Sequence, residues 1–453
     1  MSISGRENVH PKPLKGLTRF FMSEITSKQV QLPSSSFRGR GGQAIVLAGG
    51  LGTRLKETIP DLPKCMAPVA GRPFLFYVIN YLRSQGITTF IFSLGHKHEM
   101  ISAYLADQFA TLDYQCSIEE EPLDTGGAIR LACTKATEKN IVIVNGDTLF
   151  KVNIDELEFF HSGHSADCSL ALKPMHSFDR YGVVEINEDG SVKNFKEKQF
   201  YEKGYINGGI YILNAEQFLN EKLPAKFSFE KDYLEKFYYK RKIYGLVQTS
   251  YFIDIGIPED YNRAQQELKQ APLDLNSINK NWTIFIDRDG VINHEKKDEY
   301  ILNWREFQFY DGVKEAFQKF SNKFGKVIVI SNQRGVGKEL MTEADLTSIH
   351  HHMQKQIETA GGRIDKIYYC TSADMKDLNR KPNPGMAFQA KKDFPSIDFS
   401  KTIMVGNKPG DMLFGRNAGI YTVFVKTTNP DQLLPYPDID LAFNSLPDFA
   451  KAL

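Results

Sequence analysis

Two short apolar runs, far apart in the chain, each break off into a loop that carries chemistry. Residues 283–286 (Thr-Ile-Phe-Ile) are followed directly by Asp287-Arg288-Asp289-Gly290-Val291. Residues 43–47 run into Leu47-Ala48-Gly49-Gly50-Leu51-Gly52-Thr53-Arg54-Leu55, and Pro63-Lys64 closes that segment. An apolar run of this length reads as a buried strand, and in an open α/β sheet ligands bind beyond the carboxyl ends of such strands. Two such ends point to two active sites, and 453 residues suit two or three domains better than one.

The pattern around each end supports that division. Strands are expected at 89–93, 114–118 and 140–144, alternating with helical stretches at 73–85, 99–109 and 128–135. Such alternation argues for a mainly parallel sheet. Between 166 and 251 strands become more frequent, with a turn at Asn187-Glu188-Asp189-Gly190, and 259–270 reads as a closing helix. A second alternation places strands at 283–286, 326–330, 366–369, 402–405 and 421–425, with helices at 312–320 and 343–360. The expected organisation is a flexible extension at 1–42, a domain at 43–270, a linker at 271–281 and a domain at 282–453.

Composition narrows the class of function. Hydrophobic residues at 42% and charged residues at 25% are those of a globular protein. A net charge of +1 argues against a nucleic-acid partner, so local cations need small anionic ligands to explain them. Five cysteines without a Cys-x-x-Cys pair fit a reducing compartment. No apolar core follows the early basic residues, and no run approaches the ~18 apolar residues of a membrane span. The expectation is a cytoplasmic protein with no membrane partner.

In the upstream loop Gly49, Gly50 and Gly52 let the backbone pass close to a bound group, and the N–H groups of such a loop can cradle phosphate. Arg54 brings a forked cation and Lys64 a point charge, both suited to phosphate oxygens. A glycine-rich loop alone is equally well a tight turn. This one lacks the Gly-Lys-Ser or Gly-Lys-Thr end of a P-loop and the Gly-x-Gly-x-x-Gly spacing of dinucleotide folds.

The whole string VLAGGLGTRL, continued by LPKCMAPVAGRPFL, resembles the sugar-1-phosphate nucleotidyltransferases over about residues 43–265. Among them it is most similar to the D-glycero-D-manno-heptose 1-phosphate guanylyltransferases, with the mannose-1-phosphate guanylyltransferases next. The resemblance implies that Gly49, Gly50, Gly52, Glu121 and Gly126 bind the nucleotide, the last two through Glu121-Pro122-Leu123-Asp124-Thr125-Gly126. It implies that Asp147 (of Asn145-Gly146-Asp147) and Asp254 (of Asp254-Ile255-Gly256) hold Mg²⁺. Tyr181, Glu197, Lys198 and Asn207 would form the sugar-phosphate pocket. Arg54 would steady the departing pyrophosphate and Lys64 the α-phosphate. In such a reaction the sugar phosphate attacks the nucleotide α-phosphorus in line, so positioning and charge neutralisation carry the rate.

Asp287 and Asp289, two residues apart at a strand end, can serve as nucleophile and acid–base. A lone Asp-x-Asp-Gly is also a turn or part of a calcium loop. Three further segments join it: Ser331-Asn332 at a second strand end, Arg380-Lys381-Pro382-Asn383-Pro384-Gly385-Met386 with a fixed cation, and Gly406-Asn407 at another strand end, with Asp411 beyond. Together they resemble the haloacid-dehalogenase-like phosphatases over about 282–427, nearest the heptose 1,7-bisphosphate phosphatase and histidinol-phosphatase branch. The resemblance implies that Asp287 attacks phosphorus, Asp289 serves the leaving alcohol and water, Ser331, Asn332 and Lys381 bind the phosphoryl group, and Arg380 grips substrate. Mg²⁺ would rest on Asp287, Asp289 and Asn407. Relatives carry Gly-Asp where this chain has Gly406-Asn407, so weaker Mg²⁺ binding is expected, with Asp411 in support. Relatives often carry a Cys/His zinc loop before the Arg-Lys-Pro string; here 370–380 has one Cys and no His, so no zinc is expected.

The fold expectation is therefore α/β, with two Rossmann-like three-layer domains: an N-terminal GT-A-like nucleotidyltransferase and a C-terminal haloacid-dehalogenase-like phosphatase. The expected partners are a nucleoside triphosphate, GTP by resemblance, and heptose or hexose phosphates. Oligomeric state is not legible. The alternatives are a mannose-1-phosphate guanylyltransferase joined to a histidinol-phosphatase-like enzyme, or an active transferase with a degenerate regulatory phosphatase domain. Two strings are set aside. His350-His351-His352 cannot converge on one ion from a helix and reads as a solvated face. Gly335-Val336-Gly337-Lys338 imitates a P-loop end but reads as the loop after Ser331.

Overall fold

The computed structural model describes residues 41–50, 61–296, 299–434 and 436–453. Gly52, Arg54 and the extension before residue 41 lie outside the described residues.

Two sheets dominate the molecule. The first has seven strands: β1 (Gly42–Leu47), β2 (Ile87–Leu94), β3 (Asp113–Ile118), β4 (Asn140–Asn145), β5 (Cys168–Phe178), β6 (Tyr201–Asn214) and β7 (Ile243–Val247), in the order β7-β5-β6-β4-β1-β2-β3. The β1 strand pairs in parallel with β2 and β4, and β2 with β3. The long β6 runs antiparallel to both β4 and β5. Side chains alternate across the sheet, as the two-residue period of a strand requires. Ala44 and Val46 enter one apolar cluster together with the helix α1 (Phe74–Ser84). Ile45 enters the other, with Ile129 and Ala132 of α2 (Asp124–Cys133). The sheet is thus covered on both faces, which makes three layers.

The second sheet is wholly parallel: β8 (Thr283–Ile286), β9 (Lys326–Asn332), β10 (Lys366–Cys370), β11 (Thr402–Gly406), β12 (Tyr421–Val425) and β13 (Leu441–Phe443), in the order β10-β9-β8-β11-β12-β13. In β8 Ile284 and Ile286 face a cluster that includes Phe317 and Phe320 of α3 (Val313–Lys323), while Phe285 faces the opposite one. Each of these fully buried phenylalanines contributes roughly 1.5–3 kcal/mol by leaving water. The helix α4 (Glu343–Thr359) opens with a capping box, Thr342 Oγ1 accepting from Asp345 N at 3.1 Å and Asp345 Oδ2 from Thr342 N at 2.9 Å.

The strands predicted in both halves are present, most extended by one or two residues. The α2 helix begins four residues before its expected start, at Asp124 rather than 128. The edge strand β13 carries no alternation long enough to be seen in sequence. The two halves meet where α1 runs beside α5 (Pro409–Ala418). All five cysteines are free, and only Cys116, on the edge strand β3, is not buried. Among the described residues no helix is long and apolar enough to cross a membrane.

Candidate active sites

The first site lies at the carboxyl ends of β1 and β4. A small antiparallel ribbon, Thr148–Phe150 with Phe252–Asp254, sets Asp254 opposite Thr148 and so beside Asp147. Lys64 Nζ stands between the two carboxylates, 2.5 Å from Asp147 Oδ2 and 3.4 Å from Asp254 Oδ1. Burial works against the ammonium, but Asp147 and then Asp254 outweigh it and hold the Lys64 pKa above its ordinary value. Asp254 also accepts from Gly256 N at 2.8 Å and from the Tyr181 hydroxyl at 3.3 Å.

These groups open on a cavity of about 390 Å³ that Gly50, Lys198 and Asn207 also line. A Cβ at Gly50 would meet nothing within 4 Å. One at Gly49 would sit 2.9 Å from both Glu119 Oε1 and Gly95 N, so the strand end closes there only with glycine. Asn207 donates to the Tyr211 hydroxyl at 2.8 Å and accepts from Gly209 N at 3.1 Å, which fixes its amide at the cavity wall. Glu197 is exposed and outside the lining. Glu121 is exposed as well, and Gly126 is packed so closely that a Cβ would fall 2.3 Å from the Phe227 ring. Its place is a helix-packing contact, with its N–H donating to Phe227 O at 2.9 Å.

Three lining groups escaped the sequence reading. Arg180 pairs with the buried Asp260 at 2.9 Å. Glu230 projects from a π-helical turn, Phe229–Leu234, where burial pushes its carboxyl above the usual range against the pull of Lys198. The turn has no periodicity that sequence could reveal. For Mg²⁺ the fit is simple: two carboxylates face one polar cavity, and this ion needs only one or two beside substrate oxygens.

The second site gathers three strand ends, those of β8, β9 and β11, with Lys381 from the loop beyond β10 and Asp411 from α5. Lys381 Nζ lies 2.7 Å from Asp287 Oδ1 and 2.7 Å from Asp411 Oδ1, and donates to Ile330 O at 3.0 Å. Burial, then the Asp411 carboxylate, pushes Asp287 up to about 7 against the pull of Lys381. Asp411 Oδ2 accepts from the backbone N–H groups of Asn407 and Lys408, at 3.2 and 3.1 Å. Asn407 Nδ2 donates to Thr428 Oγ1 at 2.6 Å. Among the described residues its Oδ1 is buried with no hydrogen-bond partner, an orphaned acceptor in a wholly enclosed residue. Gly290, at φ +84°, brings the Asp-x-Asp loop so near that a Cβ would fall 2.1 Å from Asn407 Nδ2. An oxygen donor without a proton donor beside an aspartate loop suits Mg²⁺.

Asp289 is held by neighbours that the sequence reading did not assign. Arg288 bonds it through Nε and Nη2 at 2.9–3.1 Å, Asn293 donates at 3.0 Å and Gln333 at 2.8 Å. Burial opposes the charge, but Arg288 and these donors keep the carboxyl below its usual range. Gln333 also donates to Ser331 Oγ at 2.8 Å. Arg288 is itself almost wholly buried and turns Nη1 to His350 Nε2 at 3.1 Å. The solvated-face reading of the histidine string therefore fails at His350, which is buried, and fits the exposed His351 and His352. Gly335 to Gly337 belong to a short helix, Arg334–Gly337, rather than a loop. Asn332 exchanges two hydrogen bonds with the Lys381 backbone, both 3.0 Å, so it clamps the loop that carries the lysine. Arg380 commits Nη1 to Ser372 O and Nε to Met375 Sδ, at 2.8 and 3.2 Å.

The nucleotidyl transferase family matches residues 43–271, and the chain belongs to it. It is similar to the D-glycero-alpha-D-manno-heptose 1-phosphate guanylyltransferase of Aneurinibacillus thermoaerophilus, 51% identical over 227 residues that make up 50% of this chain and 98% of that protein. Residues 283–444 match the polynucleotide kinase 3 phosphatase family. Among solved structures, HddC from Yersinia pseudotuberculosis complexed with GMP-PN is 37% identical and covers 50% of this chain and all (100%) of its own, with a TM-score of 0.46. The D,D-heptose 1,7-bisphosphate phosphatase from B. bronchiseptica, complexed with magnesium and phosphate, is 25% identical and covers 38% of this chain and 97% of its own, with a TM-score of 0.35.

Proposed function

We propose that this chain is a bifunctional enzyme of sugar-nucleotide synthesis, divided into domains at 43–270 and 282–453 around a linker at 271–281. The C-terminal half removes the 7-phosphate of D-glycero-D-manno-heptose 1,7-bisphosphate. The N-terminal half transfers GMP from GTP to the resulting heptose 1-phosphate and releases pyrophosphate. The observation that carries the reading is one lysine bridging two aspartates in each half, Lys64 between Asp147 and Asp254 in one and Lys381 between Asp287 and Asp411 in the other. The 51% identity over the first half supports the heptose and guanine assignments.

In the hydrolytic half Asp287 attacks phosphorus, the P–O bond to C7 breaks, and Asp289 gives its proton to the departing oxygen. Asp289 then takes a proton from water, which attacks the aspartyl-phosphate and frees phosphate. Arg288 keeps Asp289 ionised before substrate binds; the negative charge of the bound phosphate then raises its proton affinity, and Asp289 takes the proton of the phosphate monoanion, which it passes to the departing oxygen. Lys381, held by Asp287 and Asp411, meets the phosphoryl oxygens without having to move. In the transfer half Lys64 neutralises the α-phosphate, Lys198 takes the sugar phosphate, and Asn207 and Tyr181 orient the sugar. Mg²⁺, when bound, neutralises phosphate oxygens in both halves; Asp147 and Asp254 would hold it in one, and Asp287, the Asp289 carbonyl and Asn407 Oδ1 in the other.

One incubation tests the proposal. Protein, Mg²⁺, GTP and the heptose 1,7-bisphosphate are combined and followed by mass spectrometry. GDP-heptose together with free phosphate is the expected result. Unchanged bisphosphate beside normal conversion of heptose 1-phosphate would defeat the hydrolytic half of the reading alone.

A further inference from the structure

Asn383 lies two residues beyond Lys381 in the Arg-Lys-Pro-Asn-Pro loop, and only 1% of it is exposed. Its amide is saturated from two directions. Nδ2 donates to Met375 O at 3.0 Å and to Asp377 O at 2.9 Å, within its own loop. Oδ1 accepts from Arg83 Nη2 at 2.7 Å and from Thr111 Oγ1 at 2.6 Å, both from the other half of the molecule. The orientation of the amide is not ambiguous, because two carbonyls demand donors and a guanidinium demands an acceptor.

Arg83 sits at the end of α1 and is 2% exposed. No carboxylate pairs with it among the described residues, and its Nε has no partner. Burial of an unpaired guanidinium is costly, and burial pulls its pKa down to about 10. The described side-chain hydrogen bond of this expensive group runs to Asn383. The Met375 that Asn383 holds by its carbonyl is also the one whose sulfur receives Arg380 Nε, at 3.2 Å. A continuous chain of contacts therefore leads from α1 through Asn383 and Met375 to the arginine of the phosphatase loop.

We infer that Arg83, a residue of the transferase half, is a positioning residue for the phosphatase centre, acting through Asn383 on the loop that presents Arg380 and Lys381. The inference rests on the phosphatase reading for its catalytic consequence. Its structural consequence is independent: without Arg83 the loop at 371–384 loses its brace and its amides exchange faster.

The test uses the full-length chain and Arg83→Met, which removes the buried charge but keeps a linear side chain. Both activities are measured, with hydrogen–deuterium exchange of the loop. The expected result is a KM for the phosphate ester raised about tenfold, as for loss of one hydrogen bond to a charged group, with kcat much less changed. Transferase rates stay within about twofold of wild type on the same scale. The Arg83→Met, Asn383→Ala double variant is expected to be no worse than the weaker single one, because both cut the same brace. If Arg83→Met does not fold, Thr111→Val removes the second donor at lower cost, with a KM rise of about two- to threefold. Unchanged KM and unchanged loop exchange, or equal loss of both activities, overturns the inference. A wild type without phosphatase activity whose loop nonetheless loosens in the variant would defeat the phosphatase reading and leave the brace standing.

Discussion

Both halves place a lysine between two aspartates, yet the two triads differ in enclosure. In the first, the side chains of Lys64, Asp147 and Asp254 are 18%, 31% and 27% exposed. In the second, those of Lys381, Asp287 and Asp411 are 4%, 9% and 4% exposed. The open triad fits a reaction with two large substrates: the carboxylates can exchange the lysine for a metal, and the lysine can follow the phosphate. The enclosed triad fits a covalent step on one phosphoryl group. Its lysine has a third acceptor in the Ile330 carbonyl and no room to leave. The same three residue types thus make a movable counter-ion in one place and a fixed one in the other.

Substitutions can break that contrast. Asp287→Asn should lower phosphate release by about 10⁴-fold, read by phosphate assay, with guanylyl transfer intact. Loss of both activities in a folded protein would end the two-site view. Asp147→Ala should do the reverse, lowering transfer by about 10²–10³-fold in a pyrophosphate assay while phosphatase rates hold. Next comes stability. Lys381→Met leaves two buried carboxylates facing each other and should cost about 3–5 kcal/mol in urea unfolding. Lys64→Met, in the open triad, should cost no more than about 1 kcal/mol. Equal costs would show that enclosure is not what separates the sites. A further effect is expected at the metal: Asn407→Asp restores a negative charge and should lower the Mg²⁺ concentration for half-maximal phosphatase activity by about twofold to threefold. Superimposable Mg²⁺ curves would mean that Asp411 and Asp287 already supply the charge needed.

The sequence revealed the strand ends and little of what surrounds them. Asp287, Ser331 and Asn407 each follow an apolar run that announces a buried strand, so their convergence could be expected before any coordinates, whereas Lys381 stands in the polar loop beyond β10 and no apolar run announces it. Arg288 sits between the two aspartates, but nothing local says that its side chain turns to Asp289 and His350. Asn332 looked like a ligand-binding residue because it follows Ser331; the reciprocal bonds to Lys381 connect residues 49 apart in sequence. Arg83 and Asn383 are 300 residues apart, and their bond exists only once two sheets have folded and docked. Arg54 and Gly52, central to the reading of the first loop, lie outside the described residues, so their roles rest on the resemblance alone.

One incidental feature offers a tool. Cys116 is the only thiol of the five not buried, and it sits on β3, the strand that begins with Asp113, itself 3.3 Å from Lys376 in the phosphatase half. A maleimide dye applied to the native protein should therefore label one position, beside the seam between the two halves. Burial raises the Cys116 pKa, so labelling will be slow, but selective against the four enclosed thiols. The natural chain thus carries its own spectroscopic reporter of whether the two halves stay docked during turnover, with no cysteine to add or remove.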